Sequence, residues 1–207
     1  VSEARLRQFA ALVATWSAKI NLVSRGDLPV LWERHVRDSL ALVPHIPEGT
    51  DRAIDLGAGA GFPGLVLAIA TGIPFTLIES DARKAAFLKE AARQTAAPVS
   101  VLNCRIEQAE IAPAPLITAR ALAPLDKLLA LAFPHLAPGG VCLFPKGPAA
   151  DAELTAAKPF WHMEAERFSA GADPGKCILK VSQIRHVGTH KTPAPGDRGG
   201  EPEGRGR

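Results

Sequence analysis

Cysteine is scarce and scattered in this chain. Cys104, Cys142 and Cys177 are the only three in 207 residues, odd in number and set in apolar surroundings. Such spacing argues against a disulfide frame or a zinc cluster and predicts reduced core residues. Long apolar runs are missing too. None approaches the roughly 20 residues of a membrane span, and the start VSEARLRQF has no basic region leading into an apolar core. Neither a span nor a secretory signal is therefore expected, which favours the cytoplasm. Internal repeats are absent, and the charge excess is small. A net charge of +3 permits a polyanionic partner without requiring one. What the chain does have is 47% hydrophobic residues, enough for one sizeable core.

Along residues 2–24, Leu6, Phe9, Val13, Trp16 and Ile20 recur at steps of three and four, which predicts a helix with one apolar face. Gly26 ends it. Asp27 is then placed to cap a second helix carrying Leu28, Leu31, Trp32, Val36, Leu40 and Val43, stopped by the segment from Pro44 to Pro47. Residues 1–47 thus read as a helical hairpin. From Asp51 the pattern changes to short β-suited runs alternating with helical ones: RAIDL, a helix from about Pro63 to Thr71, FTLIES, DARKAAFLKEAARQ, PVSVLN, a short EQAE turn, PLITAR, LDKLLALAFPHL and GGVCLFPKG. Alternation of this kind predicts a mainly parallel sheet covered by helices on both faces. FWHMEAERFSA and KCILKVSQIRH, joined around DPG, predict a closing antiparallel hairpin. Residues 51–190 form the α/β core of a single domain on this reading. Residues 191–207, rich in Pro, Gly and charge, are expected to be a disordered tail.

The stretch DLGAGAGFPG, residues 55–64, falls on the first strand-to-helix turn, where open α/β sheets bind ligands. Glycines there allow positive φ and the close approach of a ligand. Gly59, Gly61 and Gly64 satisfy the dinucleotide spacing G-x-G-x-x-G, with Glu79 about 20 residues on. Read from Gly57, however, the loop is acid-x-G-x-G-x-G with Asp55 ahead of it. That form suits the amino acid end of S-adenosyl-L-methionine (SAM), with Glu79 accepting the ribose hydroxyls. The small chain size points the same way, because a dehydrogenase usually carries a second, substrate domain. An NAD(P)-dependent oxidoreductase, a non-catalytic SAM- or nucleotide-binding regulator and a SAM enzyme acting on a small molecule remain alternatives.

These residues resemble the bacterial 16S rRNA guanine-N7 methyltransferases, also called glucose-inhibited division protein B. The likeness runs through NLVS at Asn21, ERHVRDSL from Glu33 to Leu40, DLGAGAGFPGLVLAI, LIESDARKAAFL, NCRIEQ, ARAL and FPKG, and covers about residues 5–190. It implies a Rossmann-like SAM-dependent methyltransferase fold with a mainly parallel seven-stranded sheet. The implied partner is 16S rRNA, free or within the small ribosomal subunit, with no membrane and with a monomer favoured. Carried over by position, the resemblance implies that Gly57 and Phe62 contact SAM while Gly59 and Gly61 shape the loop. It also implies that Ile106 and Glu107 border the adenine and that Arg120 closes the cofactor pocket. The tail departs from the family's compact basic Thr-Pro ending, being diluted by Asp197, Glu201 and Glu203.

Methylation at guanine N7 uses a lone pair that is already free, so no obligatory catalytic acid or base is expected; the work is to hold donor and acceptor aligned. N7 lies in the deep major groove of paired RNA, so the target should be an unstacked or extruded base. Phe62 reads either as a platform for that base or as packing against the first helices. Lys146 reads as a phosphate or base contact or as a solvated lysine, Glu79 as a ribose acceptor or a helix-start carboxylate, and Arg120 as a substrate contact or an ion pair. Arg34 and Asp38 are spaced to pair on one helix, yet Arg34, His35, Arg37 and Ser39 could equally meet RNA phosphate. His35 has no His or Cys at ligand spacing, so no metal is proposed. Lys176, Lys180, Arg185, His186, His190 and Lys191 form a loosely basic region that suits either a phosphate backbone or a half-exposed strand.

Overall fold

The structure is a computed structural model that describes residues 2–170, 173 and 175–187. The expected tail, with His190 and Lys191, lies outside the described residues. Helix α1 (Ser2–Ser17) buries Leu6, Phe9 and Val13, the stripe its periodicity predicts. It stops earlier than that periodicity suggests, and the chain turns back on the Trp16 carbonyl. Arg5 Nε donates to the Thr95 carbonyl at 2.6 Å and so ties α1 to the far end of helix α4 (Ala82–Thr95).

The second helix of the expected hairpin is not continuous. It is a 3-10 turn at Leu28–Val30, a π-helical turn at Trp32–Arg37, the α-turn α2 (Asp38–Leu40) and a 3-10 turn at Val43–His45. Pro29 and Pro44 deny the chain two amide donors, which favours short turns over a regular ladder. Asp27 does not cap this segment; its carboxylate accepts the Ser24 hydroxyl instead. Leu31 and Val36 are nevertheless buried, and Trp32, Leu40 and Val43 pack half-buried against the same core, so the apolar stripe survives the irregular backbone.

The remaining elements are β1 (Ala53–Leu56), α3 (Gly64–Thr71), β2 (Phe75–Ile78), α4, β3 (Val99–Leu102), β4 (Ala114–Thr118), α5 (Leu125–Ala132), β5 (Leu136–Lys146), α6 (Ala150–Ala157), β6 (Trp161–Ser169) and β7 (Cys177–His186). Helix α6 carries no signal that the sequence reading used. The seven strands form one mixed sheet in the order β3-β2-β1-β4-β5-β7-β6. The pairings from β3 to β5 are parallel, and β7 runs antiparallel to both its neighbours. Alternate strand residues serve opposite faces. Ala53, Phe75 and Leu77 join α1, α3 and α4 in one core, and Ile54, Ile78 and Phe144 join α5 and α6 in the other. Cys142 and Cys177 are buried free thiols in the second core, and Cys104 is half-buried and free. This topology gathers the C-terminal ends of β1, β2, β4 and β5 along one rim, where β7 begins.

Candidate active site

At the end of β1 the carboxyl of Asp55 is wholly buried. Its Oδ1 accepts the Thr118 hydroxyl at 2.6 Å, joining β1 to β4, and its Oδ2 accepts the Gly64 amide at 3.1 Å, at the start of α3. Burial pushes this carboxyl up to about 7, although both hydrogen bonds and the Arg120 charge pull the other way. Between Asp55 and α3 the backbone passes through positive φ at Gly57, Gly59 and Gly61. At Gly59 (φ +56°) a Cβ would meet nothing nearer than the Gly57 carbonyl at 3.8 Å. Here the glycine leaves bare, open backbone that a ligand can approach.

Glu79, just past β2, fastens that loop. Its Oε2 accepts the Gly59 amide at 2.8 Å and its Oε1 the Asp81 amide at 2.8 Å. The helix-start role weighed for Glu79 belongs instead to Asp81, whose side chain accepts the Arg83 and Lys84 amides at the head of α4. Each Glu79 oxygen keeps a further lone pair, so the ribose role is compatible with this geometry.

Phe62 is not a free platform. It is 4% exposed, with its ring 5.2 Å from Phe9, stacked at 5.1 Å on His35, and carrying the Arg120 guanidinium 5.1 Å above it. Base stacking on Phe62 is therefore excluded as the ring stands, because α1 and His35 already fill its surroundings. Ile106 is buried after β3, and its carbonyl lies 3.0 Å from His135 Nε2. Glu107 is exposed and lines a separate hollow of about 330 Å³ with Glu110 and His135.

A cleft of about 590 Å³ lies at the ends of β4 and β5. It unites Arg34, His35 and Arg120 with Lys146, and adds Asp38, Glu153 and Lys176. The glycine loop, Phe62, Glu79, Ile106 and Glu107 are not part of its lining. The solvated reading of Lys146 fails: its side chain is 9% exposed, and Nζ donates to Glu153 Oε2 at 2.7 Å and to the Ala123 carbonyl at 3.1 Å, which leaves one of its three donors beside the cleft. The expected Arg34–Asp38 pair also fails. Arg34 reaches back to Asp27 at 2.9 Å, while Asp38 takes Lys176 Nζ at 2.7 Å. Spacing by four still brings Glu33 and Arg37 together in the same π-helical turn, at 2.7 Å, so it is the rival partners Asp27 and Lys176 that separate Arg34 from Asp38. Arg37 pairs with Glu33, Ser39 is buried with its hydroxyl on the His35 carbonyl, and Lys180 pairs with Glu166. That engages much of the basic set that was weighed for RNA contact.

His35 stacks on Phe62 with neither ring nitrogen hydrogen-bonded among the described residues, Nε2 lying 3.7 Å from Asp27. Burial first, then the Arg120 charge, pull this imidazole down to about 4, so it is neutral at physiological pH. Arg120 itself is held below its ordinary value by burial. It makes no ion pair among the described residues and faces the cleft, so the structural-pair reading weighed for it does not hold. Glu153 escaped the sequence reading, whereas Lys176 entered it only as part of the loosely basic C-terminal region. Glu153 lies on the unanticipated α6, and Lys176 reaches Asp38 across 138 residues.

A mixed α/β sheet, parallel from β3 to β5, with a glycine turn after β1, an acid after β2 and a cleft beyond β4 and β5 defines a methyltransferase-type Rossmann-like domain. Solved structures agree on the fold. M. jannaschii TYW2 in complex with AdoMet matches with a TM-score of 0.56 at 18% identity, covering 82% of this chain and 80% of that one. A TehB-like SAM-dependent methyltransferase from Corynebacterium glutamicum matches with a TM-score of 0.57 at 16% identity, covering 77% and 93%. Residues 2–171 match the family model described as GidB, rRNA small subunit methyltransferase G, and the chain belongs to that family. Ribosomal RNA small subunit methyltransferase G of Acidiphilium cryptum (strain JF-5) is 57% identical over 185 residues, 88% of this chain and 85% of that protein. The protein of the same name from Gluconobacter oxydans (strain 621H) is 55% identical over 183 residues, 88% of this chain and 94% of that one.

Proposed function

We propose that this chain is a SAM-dependent methyltransferase acting on N7 of a guanine in a loop of 16S rRNA near the decoding centre. Family membership over residues 2–171 is the observation that carries this reading. The glycine loop supports it by presenting open backbone beside a cleft large enough for a base.

The residues present fit SAM. Gly57 and Gly59 would hold its amino acid end, with Gly61 shaping the loop. Glu79 would hold the ribose, and Ile106 and Glu107 would border the adenine. Bound there, SAM supplies an electrophilic methyl on a sulfonium. Phe62 and His35 shape the floor between loop and cleft, and Arg120 closes the boundary between them. The N7 lone pair is available without deprotonation, so the protein's task is alignment and exclusion of water, and no side chain need accept a proton first. The substrate is 16S rRNA, as free RNA or in the small subunit.

Incubating the protein with methyl-labelled SAM and small subunits from a strain lacking the enzyme, then mapping the label by mass spectrometry of RNA digests, tests this reading. A single 7-methylguanine in a 16S loop is expected. SAM binding without label on subunits or on free 16S RNA would overturn it.

A further inference from the structure

One carboxylate in the cleft is only half used. Glu153 Oε2 accepts two hydrogen bonds, from Lys146 Nζ at 2.7 Å and from the Leu125 amide at 2.9 Å. Its Oε1 has no partner among the described residues, although the residue lines the cleft and its side chain is 23% exposed. The carboxylate is thus held from behind, by a lysine at the end of β5 and by the head of α5, with one oxygen left over.

We propose that Glu153 reads the Watson–Crick edge of the target base, accepting N1–H and the N2 amino group of guanine; the inference rests on the guanine-methylating reading above. Among the four RNA bases only guanine offers two adjacent donors on that edge. A carboxylate is acceptor-only when ionised, so it matches guanine and opposes adenine, whose N1 is itself an acceptor. The sheet order fits this assignment. β5 stands two strands from β1, about 10 Å at the usual strand spacing. A purine gripped at its N1 and N2 edge on the β5 side therefore turns N7 toward the glycine loop. Glu153 is a specificity residue on this view, and Lys146 a positioning residue that fixes it.

The same geometry predicts what Glu153→Gln does. With two donors already on the Oε2 position, the amide oxygen must settle there, which turns the NH₂ group toward the base. A donor then faces guanine's donors.

The experiment compares methylation of small subunits reconstituted with guanine or with inosine, which lacks the N2 amino group, at the target position. Wild type is expected to prefer guanine by about tenfold in kcat/KM, the scale of a base-edge contact. Glu153→Gln should bring the two substrates within about threefold while retaining SAM affinity. Glu153→Asp, which withdraws the carboxylate by one methylene, should reduce the preference in the same direction and serves if the glutamine variant does not fold. Asp38→Asn, altering the other lysine-paired carboxylate of the cleft, should leave the preference intact. An unchanged preference in both Glu153 variants, or its loss in Asp38→Asn alone, overturns the proposal. Absence of any 7-methylguanine from wild type on guanine-containing subunits overturns the underlying functional reading as well.

Discussion

Gly64 lies directly against Asp55. A Cβ on Gly64 would stand 2.6 Å from the Asp55 Cβ and 2.7 Å from its Oδ2. The glycine at the head of α3 is therefore dictated by close approach, since the strand's buried acid and the helix backbone occupy the space of a side chain. Gly64→Ala should cost about 1–3 kcal/mol by overpacking and weaken SAM binding through the displaced loop. Thermal denaturation and calorimetric titration check both effects.

Asp55 and His35 make the stability respond to pH in opposite directions. Asp55 rises from its ordinary 3.8 to about 7, so folding favours its protonated form. Its contribution is complete below about pH 4 and is lost as pH climbs through 7. His35 falls from 6.5 to about 4, so its contribution is present above pH 6.5 and lost as pH drops toward 4. Relative to wild type, Asp55→Asn should gain stability as pH rises from 4 to 8, and His35→Leu should gain as pH falls from 7 to 4. Denaturant titrations across that range give the two slopes, and parallel curves for variant and wild type would refute either assignment.

Phe62→Ala should destabilise the fold by about 3–5 kcal/mol, as for other fully buried phenylalanines. Phe62→Leu should cost far less and keep most of the methylation rate. A rate lost in the leucine variant at full stability would instead restore a direct role in holding the base. Urea melts combined with initial rates separate the two.

Glu79→Gln keeps one acceptor for the two amides that Glu79 now holds, whereas Glu79→Ala leaves the amides of Gly59 and Asp81 unpaired. The alanine variant should bind SAM at least tenfold more weakly and lose about 1–3 kcal/mol of stability. The glutamine variant should fall between it and wild type. Isothermal titration reads the affinity.

Lys176 and Asp38, each about a quarter exposed, pair at 2.7 Å and join the first helical region to the start of β7. A double-mutant cycle with Lys176→Met and Asp38→Asn should return a coupling of about 1 kcal/mol. A coupling near zero would mean that the bond does not hold the two regions together.

Much of this architecture is legible in sequence because periodicity reports burial. The stripe of α1, the alternation from β1 to β5 and the final hairpin each follow from apolar spacing. The glycine turn announces its own position. Residues 27–43 misled because their apolar stripe is real while the backbone beneath it is broken by prolines and a π-helical turn, and because Asp27 and Lys176 compete for the two members of the expected Arg34–Asp38 pair. Phe62 is open in sequence between a platform and packing against the first helices, since a loop-tip aromatic gives no sign of whether its ring meets solvent or Phe9; the packing reading is the one the structure shows. Lys146 has its acid on the next helix, seven residues on, a separation with no periodic signature. Lys176 finds Asp38 only through the reversed course of the last strand.

That reversed course governs when the cleft comes into being. Because β7 is antiparallel to β5, it begins at the rim, with Cys177 opposite Lys146, and runs away from it. Lys176, fixed to Asp38, therefore adds its part of the wall after nearly all the preceding chain has been made. During synthesis the glycine turn, Glu79 and Arg120 all emerge from the ribosome before this wall can close. A nascent chain halted before β7 would hold the parts for a cofactor without an enclosed place for a base. Translation thus finishes the acceptor side last, with Lys176 and Cys177 completing a wall whose other residues are already made.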